Sequence, residues 1–257
     1  MNAVLTEMLW ASSGNTAFFI KVKEVMHMRM RKKKHSRERL DACRALLCEK
    51  KDHPIASAEE DFGRKAPMHL EIGCGKGAFA CGMAANYPDT CFYAVERVEN
   101  VMINALERAE AERANRLKDN LRFIIDNADH IEEYFAEGSL DTVYLNFSDP
   151  WPKERHAKRR LTYRTYLLKY FKLLKQDGCI RFKTDNVGLF DFTLGELAEL
   201  GLSPETVTRD LHRSPYAEGN VMTEYETNFS SQGFPIHMLV LNRPSDEKIA
   251  QLQKNLL

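Results

Sequence analysis

Neither sign of charge is in excess in this sequence, where 37 Lys and Arg stand against 37 Asp and Glu. A polyanionic partner therefore cannot be argued from net charge and has to be read from clustering. The cysteines, at positions 43, 48, 74, 81, 91 and 179, form no Cys-x-x-Cys pair. That absence argues against a zinc site. Several of the thiols sit in strand-like or glycine-rich segments, as buried thiols do, which points to a reducing, cytoplasmic setting. No apolar run approaches the length of a membrane span. The N-terminus has no basic stretch ahead of its weak apolar segment and carries Glu7, so no signal peptide is expected. No repeat or low-complexity tract appears. What remains is an ordinary globular composition with 44% hydrophobic residues.

The chain is organised around residues 141–164. Thr142 to Phe147 is an apolar, β-rich run that reads as a buried strand. Ser148-Asp149-Pro150-Trp151-Pro152 follows, and its two prolines let neither helix nor central strand continue. A carboxylate thus sits at a strand end in a stiffened loop. Lys153, Arg155, Lys158, Arg159, Arg160 and Arg164 come next, opposed only by Glu154. Acid, aromatic plate and basic run together suggest a site that handles a polyanion at a carboxylate. The plainer alternative is a strand-to-helix loop with a solvated basic face.

Residues 1–27 lack periodicity and read as a disordered or mis-called leader, with natural translation expected to start at Met28. Seven Lys or Arg fall within 29–39, an arm suited to phosphate contact or to solvent. Residues 36–51 read as a helix with Leu40, Cys43, Leu46 and Leu47 in helical register, and 52–67 as a connector. From 68 to the end the pattern is one domain of alternating strands and helices. Strands are expected at 68–72, 90–95, 121–125, 141–147 and 179–184. Helices are expected at 78–86, 99–117, 131–135, 162–174, closed by Gly178, and 188–200. A terminal hairpin at 222–229 and 236–242 and a polar helical tail complete it. This order predicts an α/β fold with a doubly wound, mostly parallel sheet and an antiparallel C-terminal edge hairpin.

In such a sheet ligands bind beyond the carboxyl ends of the strands. The residues there are Glu71 and Gly73, Glu96, Asn127, Asp149 and Asp185, so four of five strand ends carry a carboxylate. Gly73, Gly75 and Gly77 form G-x-G-x-G rather than the G-x-G-x-x-G of a dinucleotide site. Glu71 beside that loop would repel phosphate and attract an ammonium. Glu96 is placed to accept from both hydroxyls of a ribose. A ligand with a ribose, an amine and no phosphate fits better than NAD, and S-adenosylmethionine has these features plus a sulfonium.

The segments Glu71-Ile72-Gly73-Cys74-Gly75-Lys76-Gly77, Asp149-Pro150-Trp151-Pro152-Lys153, Lys158-Arg159-Arg160, Lys183-Thr184-Asp185-Asn186 and Thr223-Glu224-Tyr225-Glu226 closely resemble the bacterial tRNA (guanine-N7)-methyltransferases. The resemblance spans about Met28 to Asn242. It implies a seven-stranded, Rossmann-like class I methyltransferase fold, S-adenosylmethionine as donor, and N7 of a guanine in the tRNA variable loop as acceptor. Carried over, Glu71, Gly73, Gly75, Gly77, Glu96, Asn127 and Asp149 would hold the cofactor. Lys153, Asp185, Thr223, Glu224, Tyr225 and Glu226 would contact the substrate. Arg31, Lys32, Lys33, Arg155, Lys158, Arg159 and Arg160 would grip RNA phosphates. No metal, membrane or obligatory protein partner is expected. Trp151 is equally a base-stacking plate or a core residue filling the strand end, and His156 backs phosphate binding. The alternatives are a methyltransferase acting on another RNA acceptor and a non-catalytic RNA-binding module. The Asp-Pro-Trp-Pro loop also resembles the Asp-Pro-Pro-aromatic loop of amino-methyltransferases, which need a paired carbonyl acceptor.

Guanine N7 has an in-plane lone pair and no proton, so no general base is required. Asp149 is therefore expected to position and stabilise rather than deprotonate.

Overall fold

A computed structural model describes residues 35–115 and 117–256. Residues 1–27 and the cations Arg31, Lys32 and Lys33 lie outside the described residues. Short apolar runs, rich in β-branched and aromatic residues, form β1 (Met68–Ile72), β2 (Cys91–Val95), β3 (Leu121–Ile124) and β4 (Leu140–Asn146). They continue as β5 (Leu174–Thr184), β6 (Thr206–Thr208) and β7 (His237–Asn242). The sheet order is β3-β2-β1-β4-β5-β7-β6. The first five strands run parallel to one another, and β7 runs antiparallel to β5 and β6. The chain proceeds outward from β1 through β2 to β3, then crosses back to β4. The gap between β1 and β4 is therefore the switch point at which a crevice opens.

Both faces are covered, which is why β2 and β4 read as near-continuous apolar runs. On one face Leu70, Ile72, Val95, Val143, Leu145, Ile180, Phe182 and Leu239 pack with α5 (Arg164–Leu173), α6 (Val187–Glu199) and α8 (Asp246–Leu256). On the other, Phe92, Ala94, Phe123 and Tyr144 pack with α3 (Ala78–Asn86) and α4 (Glu99–Ala111). Glu71 pairs in register with Ala94 and Tyr144, so it belongs to this second face. Two short helices, α1 (Ser36–Ala42) and α2 (Glu59–Phe62), precede the sheet.

The structure corrects four expectations. The helix expected over 36–51 stops at Ala42, and Arg44–Leu46 is a 3₁₀ turn. The chain then extends so that Cys48 N donates to Phe123 O at 2.8 Å, and edge pairing with β3 replaces further helix. The long helix expected to reach 117 ends at Ala111, two residues past its last buried apolar position, Ala109. Gly178 does not close a helix; α5 ends at Leu173 and Gly178 lies within β5, where the register with β4 shifts. A Cβ at Gly178 would meet Lys175 O at 2.9 Å and Asp141 O at 3.1 Å, so the residue is small because two backbones approach there. Finally, 222–229 is no strand: α7 (Glu224–Ser230) occupies it, and β6 is the hairpin partner of β7. Thr223 caps α7, its Oγ1 accepting from Glu226 N at 2.9 Å. The Thr-x-x-Glu spacing is a helix-start signal that outweighs the local β propensity.

Candidate active site

β1 runs into the loop Gly73-Cys74-Gly75-Lys76-Gly77, and all three glycines have positive φ (81°, 56° and 76°). A Cβ makes that region costly. Gly77 is doubly constrained, because a Cβ there would lie 2.8 Å from Ala105 Cβ of α4. Gly73 N and Cys74 N both donate to Val95 O, which pins the loop to β2. Glu96, just past β2, accepts from Gly75 N at 3.3 Å and from Val98 N at 2.9 Å. Burial raises its pKa, and those N–H bonds oppose the rise. One carboxylate thus closes the glycine loop from the β2 side.

Glu71 is 4% exposed. Its Oε1 accepts from Asn146 Nδ2 of β4 at 2.9 Å, directly across the switch point. Its Oε2, Asn146 Oδ1 and Ser148 Oγ are buried and have no hydrogen-bond partner among the described residues. Burial pushes the Glu71 carboxyl up to about 7, while the Asn146 bond, the nearby Lys183 ammonium and the Ala80 backbone N–H at the start of α3 pull it down. Buried oxygens left unpaired are costly, and a ligand carrying N–H donors or a cation relieves that cost. The residues present therefore fit the amine and sulfonium of the expected cofactor.

The loop after β4 is strained at both ends. Phe147 and Trp151 have φ of 51° and 42°, left-handed values that bulky residues rarely adopt. The strain is held by Phe147 N donating to Lys183 O at 2.9 Å and by Arg160. Arg160 Nε donates to Pro150 O at 3.0 Å and its Nη2 to Trp151 O at 2.9 Å. Between these anchors the Asp149 side chain is 59% exposed, 3.7 Å from Arg97 Nη2. Trp151 is half-buried, edge-on to His156 at 5.7 Å with the Arg159 guanidinium 5.0 Å from its ring. It is thus neither a core residue nor a free plate.

Asp185 follows β5, and burial raises its pKa. The Tyr225 hydroxyl donates to it at 3.5 Å. The half-exposed Tyr225 ring stacks on Phe229 at 4.2 Å and lies 5.1 Å from Phe147. Glu224 pairs with Arg108 of α4 and, at 3.4 Å, with Lys76 of the glycine loop. Helix α7 therefore joins the glycine loop to the end of β5.

The family model described as "Putative methyltransferase" matches residues 65–239. Over 187 residues the chain is 46% identical to the tRNA (guanine-N(7)-)-methyltransferase of Lachnoclostridium phytofermentans, covering 73% of this chain and 86% of that one. Over 214 residues it is 44% identical to the protein of the same name from Lactococcus lactis subsp. cremoris, covering 82% and 96%. The chain belongs to the tRNA (guanine-N7)-methyltransferase family. Among solved structures, a 16S rRNA methyltransferase, KamB, matches with a TM-score of 0.58 at 12% identity, covering 76% of this chain and 96% of that one. An antibiotic-related methyltransferase matches with a TM-score of 0.53 at 16% identity, covering 76% and 98%. These two likenesses carry the fold alone.

The family match takes in β1 to β6 and the first half of β7, and so every residue of the crevice. Within it the expected residues separate into groups. Glu71, Gly73, Gly75, Gly77 and Glu96 come together around the glycine loop. Asn127 instead caps a 3₁₀ turn, its Oδ1 accepting from Asp129 N and its Nδ2 donating to Asp129 Oδ2 at 2.7 Å. The neighbouring Asp126 is the carboxylate at that strand end, bonded by the Tyr134 hydroxyl at 3.0 Å. Lys153, Arg155, Lys158 and Arg159 are exposed, whereas Arg160 is half-buried in the loop it clasps. Thr223 is occupied as a helix cap. Glu226 is fully buried and bonded to Lys183. Asn146, Ser148, Lys183 and Asn220 were given no role from the sequence, although Ser148 and Lys183 lie in the motif segments named there. Asn146 carried a signal there, since it is a polar residue ending a strand that is otherwise almost wholly buried. Lys183 did not, because β5 also carries the exposed Lys175, Gln176, Asp177 and Arg181.

Proposed function

We propose that this enzyme transfers a methyl group from S-adenosylmethionine to N7 of a guanine in the tRNA variable loop. The observation that carries this reading is Glu71, a buried carboxylate with one oxygen unused at the β1–β4 switch point. Glu71 Oε2, with Asn146 Oδ1 beside it, accepts from the donor's ammonium. Glu96 takes the ribose hydroxyls, and the backbone of Gly73 to Gly77 leaves room for close approach without offering a phosphate cradle. When bound, S-adenosylmethionine supplies an electrophilic methyl on a sulfonium.

On the acceptor side, Asp185 receives guanine N1–H and N2–H, and Tyr225 supplies an aromatic wall. N7 needs no deprotonation, so alignment is the main task of these residues; such positioning is worth roughly 7–11 kcal/mol of a barrier. Asp149 stabilises the positive charge that grows on the purine. Lys153, Arg155, Lys158 and Arg159 hold phosphates of the RNA. The reading is supported by the relatives at 43–46% identity named for this reaction.

The test is incubation with labelled donor and bulk tRNA, followed by borohydride–aniline cleavage, which cuts where N7-methylguanine lies. Cleavage in the variable loop is expected. Labelled tRNA that resists cleavage would assign another acceptor, and unlabelled tRNA would leave only an RNA-binding role.

A further inference from the structure

Lys183 and Glu226 form an ion pair almost closed to solvent, with side chains 6% and 0% exposed and Nζ 2.7 Å from Oε2. The other two ammonium protons go to Asn220 Oδ1 at 2.9 Å and Val221 O at 3.1 Å. Three acceptors thus satisfy three donors. The second Glu226 oxygen accepts from Asn220 Nδ2 at 2.7 Å, and His212 Nε2 lies 3.2 Å away without hydrogen-bond geometry. Such a pair is a poor source of net stability but is costly to break one-sidedly. Its use is therefore sought in what it fixes.

Lys183 stands beside Asn146 in sheet register, with its ammonium 5.2 Å from the Phe79 ring of α3, so it borders the donor half of the crevice. Glu226 belongs to α7, which carries Tyr225 to Asp185. The same segment is tied on its other side by Glu224 to Lys76 and Arg108. Val221 lies so close to α3 that a Cβ on Gly82 would meet its Cγ1 at 2.8 Å. Residues 220–226 are thus a strap fastened to both walls.

We propose that Lys183 and Glu226 are positioning residues for methyl transfer, locking this strap so that Tyr225 and Asp185 stand at a fixed distance from the donor. Glu226 then acts through Lys183 and does not touch the RNA. This rests on the methyl-transfer reading, and wild-type enzyme that leaves no N7 mark sinks that reading without any variant being made.

With active wild type, Lys183→Met, Glu226→Gln and the double variant are compared at saturating donor. Each single variant is expected to slow single-turnover methylation about tenfold or more, with the tRNA dissociation constant held within about threefold. The double variant is expected to be no slower than the slower single one, because both remove the same lock. Amide hydrogen exchange over 220–227 should speed up in all three. Additive rate losses, or weakened tRNA binding confined to Glu226→Gln, would make Glu226 a substrate contact and overturn the proposal. Should the buried variants not fold, Asn220→Ala carries the test. That residue is only half-buried and bonds both partners, so the same pattern is expected at smaller amplitude, and an unchanged rate refutes the lock.

Discussion

Replacing Glu71 with Gln should make the enzyme more stable and less able to bind its donor. The folded chain holds the Glu71 proton to about pH 7, against an ordinary value of 4.5. Because the native state binds the proton more tightly than the unfolded one, stability falls as pH rises through that window. The loss is complete above it. At about 1.4 kcal/mol per pH unit, the ionised carboxylate costs the ligand-free protein about 3 kcal/mol at pH 8. Glu71→Gln removes the charge and keeps an oxygen for Asn146 Nδ2. The expected gain is about 1–3 kcal/mol at pH 8, or roughly 2–10 °C in melting temperature, vanishing near pH 4.5.

Donor binding should show the opposite face of the same group. Between pH 5.5 and 7 the donor's α-amino group stays cationic, since such amines titrate near 7.7–8.0. Over that range the ionised fraction of Glu71 rises about fifteenfold, so wild-type affinity for S-adenosylmethionine, measured by calorimetry, should rise about as much. The variant should bind weakly and without that slope. A lower melting temperature for Glu71→Gln at pH 8, or a flat wild-type affinity profile, would refute the reasoning.

Gly77→Ala has a strained φ and a clash with Ala105, so urea titration should show a loss of about 1–3 kcal/mol, with donor affinity falling as well. Asp149→Asn should slow single turnover by about a hundredfold or less, the exposure of the side chain keeping it at the low end for an electrostatic stabiliser. Its loss should be the same from pH 6 to 9, and a loss that tracked a titrating base would reinstate proton abstraction. Arg155→Ala and Lys158→Ala should each lower the log–log salt slope of tRNA binding by roughly 0.7–0.9. Arg160→Lys should leave that slope alone and reduce turnover, since its guanidinium holds Pro150 and Trp151 carbonyls rather than solvent.

The first five strands were legible because each contains a short apolar run closely followed by a polar residue or glycine. The hairpin was half legible. His237–Asn242 declared itself by apolar length, but Thr206–Thr208 is three residues of an edge strand and has no pattern to show. Residues 222–229 were misread as strand because Tyr225 and Phe229 look like strand residues. Their spacing of four is equally a helix face, and the ring stack at 4.2 Å is the product of that face.

The candidate site divides in the same way. Strand-end acids and glycines can be read locally, because their meaning depends on position within one β–turn–α unit. The Glu226–Lys183 pair cannot, because its partners are 43 residues apart and meet only once the sheet has formed. Bare spacing gives Thr223 to Glu226 only surface charge, and the family resemblance gives all four one role, substrate contact. The fold gives Thr223 to the helix cap, Glu224 to the glycine-loop side, Tyr225 to the crevice and Glu226 to the interior, as a helical turn with its 100° step requires. A motif that looks like one function is therefore four, and the one most deeply buried is the one that decides where the exposed one stands.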